Sequence, residues 1–275
     1  MSVAELRKYG IELLSGSGLD DPVHECDYLL SGALKLPLLE LRLDPGRKIP
    51  AEEKERIKAF FQRRARREPA QYILGVAPFR DLELTVSPAV LIPRPETEEL
   101  IDLALARAPR NAQVLDMGTG SGAIPLALKY ERPDLTVCAA DLSFDALEVA
   151  KLNSKNLHLE VEFLHSDLWS NLSERVFDLV TANLPYVSES EYKECSAEIF
   201  YEPVMALTAP NEGLALMEKM IEELPAHLAP GGSAIFELSD VQNAPICTFG
   251  ERCGFKVESV RDMSGKARFV ILSRK

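Results

Sequence analysis

The sequence is defined first by what it lacks. No uninterrupted apolar run approaches the ~18 residues that a bilayer-spanning helix needs. Glu5, Arg7, Lys8 and Glu12 stand where the apolar centre of a signal peptide would be, so a cytoplasmic protein without a membrane partner is expected. Cysteine is scarce and scattered: Cys26, Cys138, Cys195, Cys247 and Cys253 are odd in number and contain no C-x-x-C, which points to buried free thiols rather than a disulfide framework or a metal site. Positive charge is in deficit. The formal net charge is −12, with 14 Lys+Arg against 12 Asp+Glu in residues 1–80 and 17 against 31 thereafter. An acidic larger part repels a phosphate backbone, so no direct nucleic-acid partner is expected. His24, His158, His165 and His227 stand beside no Ser or Cys motif that reads as a nucleophile site. There is no internal repeat and no low-complexity segment. A chain of 275 residues, 46% hydrophobic and 27% charged, has the composition of a globular enzyme and the length of two unequal domains.

The spacing of apolar residues changes along the chain. Up to residue 74 it is helical, as in Leu6, Ile11, Leu13 and Leu14 or Tyr28, Leu29, Leu30, Ala33 and Leu34. Breaks at Gly16-Ser17-Gly18, Pro37, Asp44-Pro45-Gly46 and Pro50 divide this part into four or five short helices. The last carries Arg56, Lys58, Arg63, Arg64, Arg66 and Arg67, read as a solvated face offset by Glu52, Glu53 and Glu55, with docking of an acidic partner as the second reading. Between Phe79 and Ile92 the period becomes two, which predicts a β-hairpin turning at Ser87-Pro88. Beyond Arg110, strands at 113–117, 135–140, 161–165 and 177–182 alternate with helices, the signature of an α/β fold with a parallel sheet covered on both faces. A loop, a helix at 213–227, a strand at 233–238, a helix at 241–253 and an antiparallel edge hairpin at 255–260 and 267–273 complete the pattern.

Chemistry concentrates at two strand ends. Val114-Leu115-Asp116-Met117 runs into Gly118-Thr119-Gly120-Ser121-Gly122 and then a helix, an arrangement in which backbone N–H groups approach a nucleotide-like ligand. The spacing of Gly118, Gly120 and Ala123 also satisfies the loose dinucleotide pattern, so NAD stays open at this point. Against it, Asp116 directly before the turn would repel a pyrophosphate but suit an ammonium. Asp141, about 20 residues on, is placed for ribose hydroxyls in either cofactor. Asp167 can accept from an adenine amino group with Leu168 covering the ring, or serve as a helix cap. The strand ending at Ala182 leads into Asn183-Leu184-Pro185-Tyr186, where the Asn183 side-chain oxygen and the Leu184 carbonyl offer the two acceptors that orient a planar amino group. Pro185 stiffens the loop and Tyr186 presents an aromatic face.

These motifs resemble the S-adenosylmethionine-dependent glutamine N5-methyltransferases of class I peptide chain release factors (HemK/PrmC). The likeness spans nearly the whole chain: Gln71-Tyr72-Ile73-Leu74-Gly75, Leu91-Ile92-Pro93-Arg94-Pro95-Glu96-Thr97-Glu98, residues 116–122, residues 183–186, Tyr201-Glu202-Pro203 and Ser264-Gly265-Lys266-Ala267-Arg268. The resemblance implies a helical substrate-docking domain over 1–74, a hairpin linker over 75–95, and a seven-stranded, Rossmann-like class I methyltransferase domain over 96–275, acting as a monomer. It implies that Asp116, Gly118, Thr119, Gly120, Ser121, Gly122, Asp141, Asp167, Leu168 and Asn183 contact S-adenosylmethionine. It places Asn183, Leu184, Pro185 and Tyr186 against the glutamine of the Gly-Gly-Gln loop of a release factor, with Asn183, Pro185 and Tyr186 as the catalytic group. Two departures stand out. Leu184 replaces the first proline of Asn-Pro-Pro-Tyr, which predicts retained activity with a slightly looser loop, and Ala267 precedes Arg268 where the family usually has an acid. An amide nitrogen is a poor nucleophile, so alignment and acceptors for its growing positive charge should dominate over a general base. Glu202 is read as a brace for the Asn183 loop or as a structural residue. Other readings are a ribosomal-protein glutamine methyltransferase, a nucleobase amino (adenine N6) methyltransferase and a non-catalytic cofactor-binding protein.

Overall fold

The computed structural model describes residues 1–211 and 213–274; Glu212 and Lys275, both inside the expected 96–275 domain, lie outside the described residues. The chain forms two compact units, Met1–Val76 with Ser196–Tyr201, and Ala77–Cys195 with Glu202–Lys275. None of the described helices is long and apolar enough to cross a membrane.

The first unit holds five helices, α1 (Val3–Ser15), α2 (Pro22–Leu34), α3 (Leu38–Leu43), α4 (Ala51–Ala65) and α5 (Ala70–Leu74). Ser2 and Glu5 close a capping box on α1, and Asp21 caps α2 with Pro22 in its first turn, so both starts are written locally. Leu6, Leu14, Leu29, Leu30, Ile57 and Phe61 are fully buried at its centre. Gly10 lets α1 approach closely, because a Cβ there would lie 2.7 Å from both Cys26 Sγ and the Phe61 ring. The basic helix α4 differs from its reading as a solvated face. Arg64 is buried and binds Glu25 at 2.8 Å and Glu198 at 3.0 Å, Arg63 binds Glu68, and Arg56 donates to the Ala33 carbonyl. Of the expected acids Glu55 pairs, with Lys54 and Lys58, while Arg64 and Arg67 find acids far off in sequence, Glu25 and Glu198, which a local reading of charge cannot see.

A hairpin, β1 (Val76–Phe79) and β2 (Leu82–Thr85), precedes the second unit's main sheet. Its turn is at Arg80-Asp81 and not at Ser87-Pro88. Arg80 takes the left-handed conformation (φ 50°), held there by its N–H to Glu98 and its guanidinium to Asp102 and Glu131. The remaining elements are α6 (Pro95–Leu105), β3 (Gln113–Met117), α7 (Ala123–Glu131), β4 (Thr136–Asp141), α8 (Phe144–Leu157), β5 (Glu162–His165), β6 (Phe177–Ala182), α9 (Glu189–Glu194), α10 (Ala215–His227), β7 (Leu228–Glu237), α11 (Asp240–Arg252), β8 (Lys256–Arg261) and β9 (Ala267–Ser273). Seven strands form one sheet in the order β5-β4-β3-β6-β7-β9-β8. The first five are parallel, and β9 inserts antiparallel between β7 and β8.

Strand alternation divides the core into two layers. Leu115, Met117, Val180, Ala182, Ala234 and Phe236 face Met220, Ile221 and Leu224 of α10. Val114, Leu179, Ile235 and Ile271 face Leu100, Ile101 and Ala104 of α6 and Leu126 of α7. The connection order reverses between β3 and β6, so the crevice beyond their carboxyl ends is where an open α/β sheet takes its ligand. The five cysteines are all free, with Cys26 and Cys138 buried and the other three half-buried, where all had been expected inside.

Candidate active site

The ends of β3, β4 and β6 bring most of the expected site residues to that crevice, while Asp116, Thr119, Ser121 and Gly122 lie outside the cavity linings. One cavity is lined by Gly118, Gly120, Asp141, Asp167, Leu168, Asn183, Leu184 and Pro185 among others, and a second, smaller one by Arg94 and residues 183–187. The turn after β3 is built from glycines in the left-handed region, with φ of 72° at Gly118, 54° at Gly120 and 82° at Gly122. Gly118 and Thr119 both donate to the Ala140 carbonyl, which stitches the turn to β4. Asn153 of α8, absent from the expected set, is buried and donates to the Ser121 carbonyl at 2.9 Å and the Thr85 carbonyl at 3.0 Å, fixing the turn from behind.

Asp116 is wholly buried under this turn. Its Oδ1 accepts from the Thr181 hydroxyl at 2.8 Å, an outcome of the β3–β6 register that pairs the two residues. Its Oδ2 and the buried Thr119 Oγ1 have no hydrogen-bond partner. Burial pushes the Asp116 carboxyl up to about 7, moderated by the nearby hydroxyls of Thr119 and Thr181, while the Asp141 charge adds to the rise. Buried polar atoms left open in a native fold call for a ligand that completes them. A carboxylate oxygen and a hydroxyl together suit an ammonium.

Asp141 is partly committed. Its Oδ2 accepts from the Gly120 N–H and its Oδ1 from the Ser143 N–H, each at 2.8 Å, so it clamps the glycine turn while lining the cavity. Burial raises its carboxyl against those backbone donors. Asp167 is exposed at the cavity rim, 3.8 Å from the Lys219 ammonium. Turns rather than a helix follow it, so it caps nothing. Leu168 is buried with a positive φ of 46° and lines the cavity.

At the end of β6, Asn183 is oriented by a residue not singled out from sequence. Its Nδ2 donates to the Thr97 hydroxyl at 3.2 Å, which leaves Oδ1 as the acceptor for a ligand. Leu184 is buried in the sheet core, and a Cβ on Gly118 would lie 2.7 Å from its Cδ2. Leucine therefore anchors the loop by packing where a looser loop was expected. Gln242 of α11 donates to the Tyr186 carbonyl at 2.6 Å. Burial, with the Glu237 charge nearby, pushes the Tyr186 phenol up to about 12, so its ring stays neutral.

The motif around Arg94 is tied to the motif around Glu202. The buried Glu202 carboxylate accepts from the Ile92 N–H at 3.0 Å and pairs with Arg94 at 2.5 Å. Glu202 thus braces the 91–98 segment, which carries Thr97, rather than touching Asn183. Arg268, lacking a preceding acid, pairs instead with Asp262 at 2.8 Å across the β8–β9 turn.

Sheet order, glycine turn and a pre-oriented asparagine beside one cavity define a class I S-adenosylmethionine-dependent methyltransferase. Residues 5–75 match the model of the PrmC N-terminal domain and residues 97–210 that of the methyltransferase small domain. A release factor glutamine methyltransferase of Neisseria gonorrhoeae is 37% identical over 254 residues, covering 91% of this chain and 93% of its own. Another, of Koribacter versatilis, is 35% identical over 276 residues and 98% of each chain. The chain belongs to the release factor glutamine methyltransferase family. A crystal structure of a methyltransferase from Pyrococcus furiosus, at 19% identity and a TM-score of 0.55, covers 82% of this chain and 99% of that one and shares the fold.

Proposed function

We propose that this chain transfers a methyl group from S-adenosylmethionine to the side-chain amide nitrogen (N5) of the glutamine in the Gly-Gly-Gln motif of class I peptide chain release factors. The observation that carries the reading is the commitment of Asn183 Nδ2 to Thr97, which presents Oδ1 at the cavity beside the glycine turn. The likeness to release factor glutamine methyltransferases of Neisseria gonorrhoeae and Koribacter versatilis supports the substrate.

The open atoms of the site fit the cofactor. Asp116 Oδ2 and Thr119 Oγ1 would take its ammonium, Asp141 its ribose hydroxyls, and Asp167 with Leu168 its adenine, over the turn formed by Gly118, Gly120, Ser121 and Gly122. Bound S-adenosylmethionine supplies a methyl group already activated on a sulfonium. Everything else falls to the chain. Asn183 Oδ1 and the Leu184 carbonyl accept the two N–H bonds of the substrate amide, fix its plane and stabilise positive charge as it grows on nitrogen. Pro185 holds the Leu184 carbonyl in an extended conformation, and the neutral Tyr186 ring packs against the flat amide. An adenine amino group would satisfy the same acceptors, but 31 acidic against 17 basic residues beyond position 80 oppose a phosphate backbone. We assign residues 1–74 to release-factor docking, 75–95 to the linker and 96–275 to catalysis, in a monomeric cytoplasmic enzyme that binds no nucleic acid.

The test is incubation with labelled S-adenosylmethionine and a full-length class I release factor, followed by peptide mass spectrometry. A methyl on the Gly-Gly-Gln glutamine is expected; cofactor binding without transfer to that residue would refute the substrate.

A further inference from the structure

We infer that Glu237 is a positioning residue for Asn183, acting through Thr97: its carboxylate accepts a hydrogen bond from the Thr97 hydroxyl and so makes Thr97 Oγ1 the acceptor that fixes the Asn183 amide. The inference rests on the reading above, in which Asn183 orients a substrate amide.

The geometry comes from the sheet. Ala182 of β6 pairs with Phe236 of β7, so the next residues, Asn183 and Glu237, stand side by side at the strand ends. By strand alternation both belong to the layer of Thr181 and Ile235, the layer covered by α6, which carries Thr97. A threonine hydroxyl has one proton. Because Oγ1 receives the Asn183 Nδ2–H at 3.2 Å, that proton must be donated elsewhere, and the buried Glu237 carboxylate, whose Oε2 is open and whose charged form Thr97 favours, is the acceptor beside it. The direction of the relay then sets which end of the asparagine amide meets the ligand. A carboxylate buried merely to bind a cation would be paired. Glu237 is 1% exposed, its Oε2 has no partner, and the two guanidiniums nearest in influence are committed elsewhere, Arg94 to Glu202 and Arg268 to Asp262.

The groups facing Glu237 are Thr97, Arg94 and Glu96 from α6 and its start, Arg268 from β9, and Tyr186 from the loop after β6. Burial pushes its carboxyl up to about 7; Glu96 acts the same way, and Thr97, Arg268 and Arg94 oppose it. Above that pH the carboxylate accepts from Thr97. Below it, protonated Glu237 can donate to Thr97 Oγ1, compete with Asn183 Nδ2 and release the amide to turn.

Two readouts on the full-length chain test this. In a 15N-labelled sample, the Asn183 side-chain NH2 resonance should shift with pH with a midpoint near 7, the value to which Glu237 is raised. The shift should vanish in Glu237→Gln and Thr97→Val and persist in Thr97→Ser, with the remaining amide spectrum reporting the fold. With a full-length release factor, Glu237→Gln should lose about tenfold in kcat with little change in KM, and the wild-type pH dependence near 7 should flatten. An Asn183 resonance that titrates unchanged in Glu237→Gln overturns the inference, as does wild-type kcat in that variant. A wild-type chain whose Asn183 resonance follows Glu237 but which leaves the release factor unmethylated keeps the positioning role and removes the substrate assignment.

Discussion

Cofactor binding should expel a proton from Asp116. The carboxyl is fully buried, has one oxygen satisfied by Thr181 and the other open, and is raised to about 7 in the ligand-free fold. Its usual value is about 4, so the protonated form is favoured on folding: the contribution to stability is present below about 4 and lost as pH rises through about 7. An ammonium at Oδ2 demands the opposite, the charged form. At pH 6 about nine-tenths of the carboxyls carry a proton that must leave, and the affinity for S-adenosylmethionine should be about tenfold weaker than at pH 8. Isothermal titration calorimetry in buffers of different ionisation enthalpy measures both quantities: about 0.9 proton released at pH 6 and about 0.1 at pH 8. Asp116→Asn keeps the shape and removes the charge. It should weaken binding at pH 8 by about tenfold to a hundredfold, the worth of a charge-assisted hydrogen bond, and abolish the pH dependence. A wild-type affinity that is flat from pH 6 to 8 with no proton release would refute the ammonium assignment, and so would tight binding by Asp116→Asn.

The remaining predictions concern the turn, the acceptor and the brace. Asn183→Ala should bind S-adenosylmethionine with wild-type affinity in calorimetry yet lose about a hundredfold or more in kcat, since it deletes one transition-state acceptor. Gly118→Ala meets both a φ of 72° and Leu184 Cδ2 at 2.7 Å; thermal unfolding should show a loss of about 1–3 kcal/mol, with weaker cofactor binding. Glu202→Gln removes the charge that the buried carboxylate shares with Arg94, and chemical denaturation should register a loss of about 2–4 kcal/mol. Because Glu202 braces the segment carrying Thr97, kcat in that variant should fall as well.

Legibility followed locality. The β3 turn was readable because strand, glycines and helix are contiguous, and Asn183 because it ends an apolar strand. Seven strands were readable from the apolar pattern, and the family resemblance joined them into one sheet. The hairpin turn was misplaced because Ser87-Pro88 looks like the stronger break, whereas the actual turn depends on Glu98, Asp102 and Glu131 holding Arg80 from a distance. Thr181 and Thr97 act on partners 65 and 86 residues away; Thr97 lies in the 91–98 string that carried the family resemblance, but nothing in that string shows which side chain it meets. Glu237 is the same case: an acid at the end of an apolar strand reads as the point where the strand meets solvent, and here it is 1% exposed. Strand register and, for Thr97, the packing of α6 on the sheet bring these groups together. The short helix α9 was absorbed into a presumed loop because none of its residues is buried, which leaves no apolar stripe to read.

The contact of Leu184 with Gly118 reaches beyond the packing of one side chain. Glycine at 118 is required twice over in this chain, once by a backbone angle and once by the branched end of a leucine, where a proline at 184 would press on it less. The two positions are therefore coupled: a smaller residue at 184 removes the second obstacle and leaves the backbone angle as the remaining cost of a side chain at 118. A side chain in the loop after β6 thus sets what the glycine turn after β3 can accept.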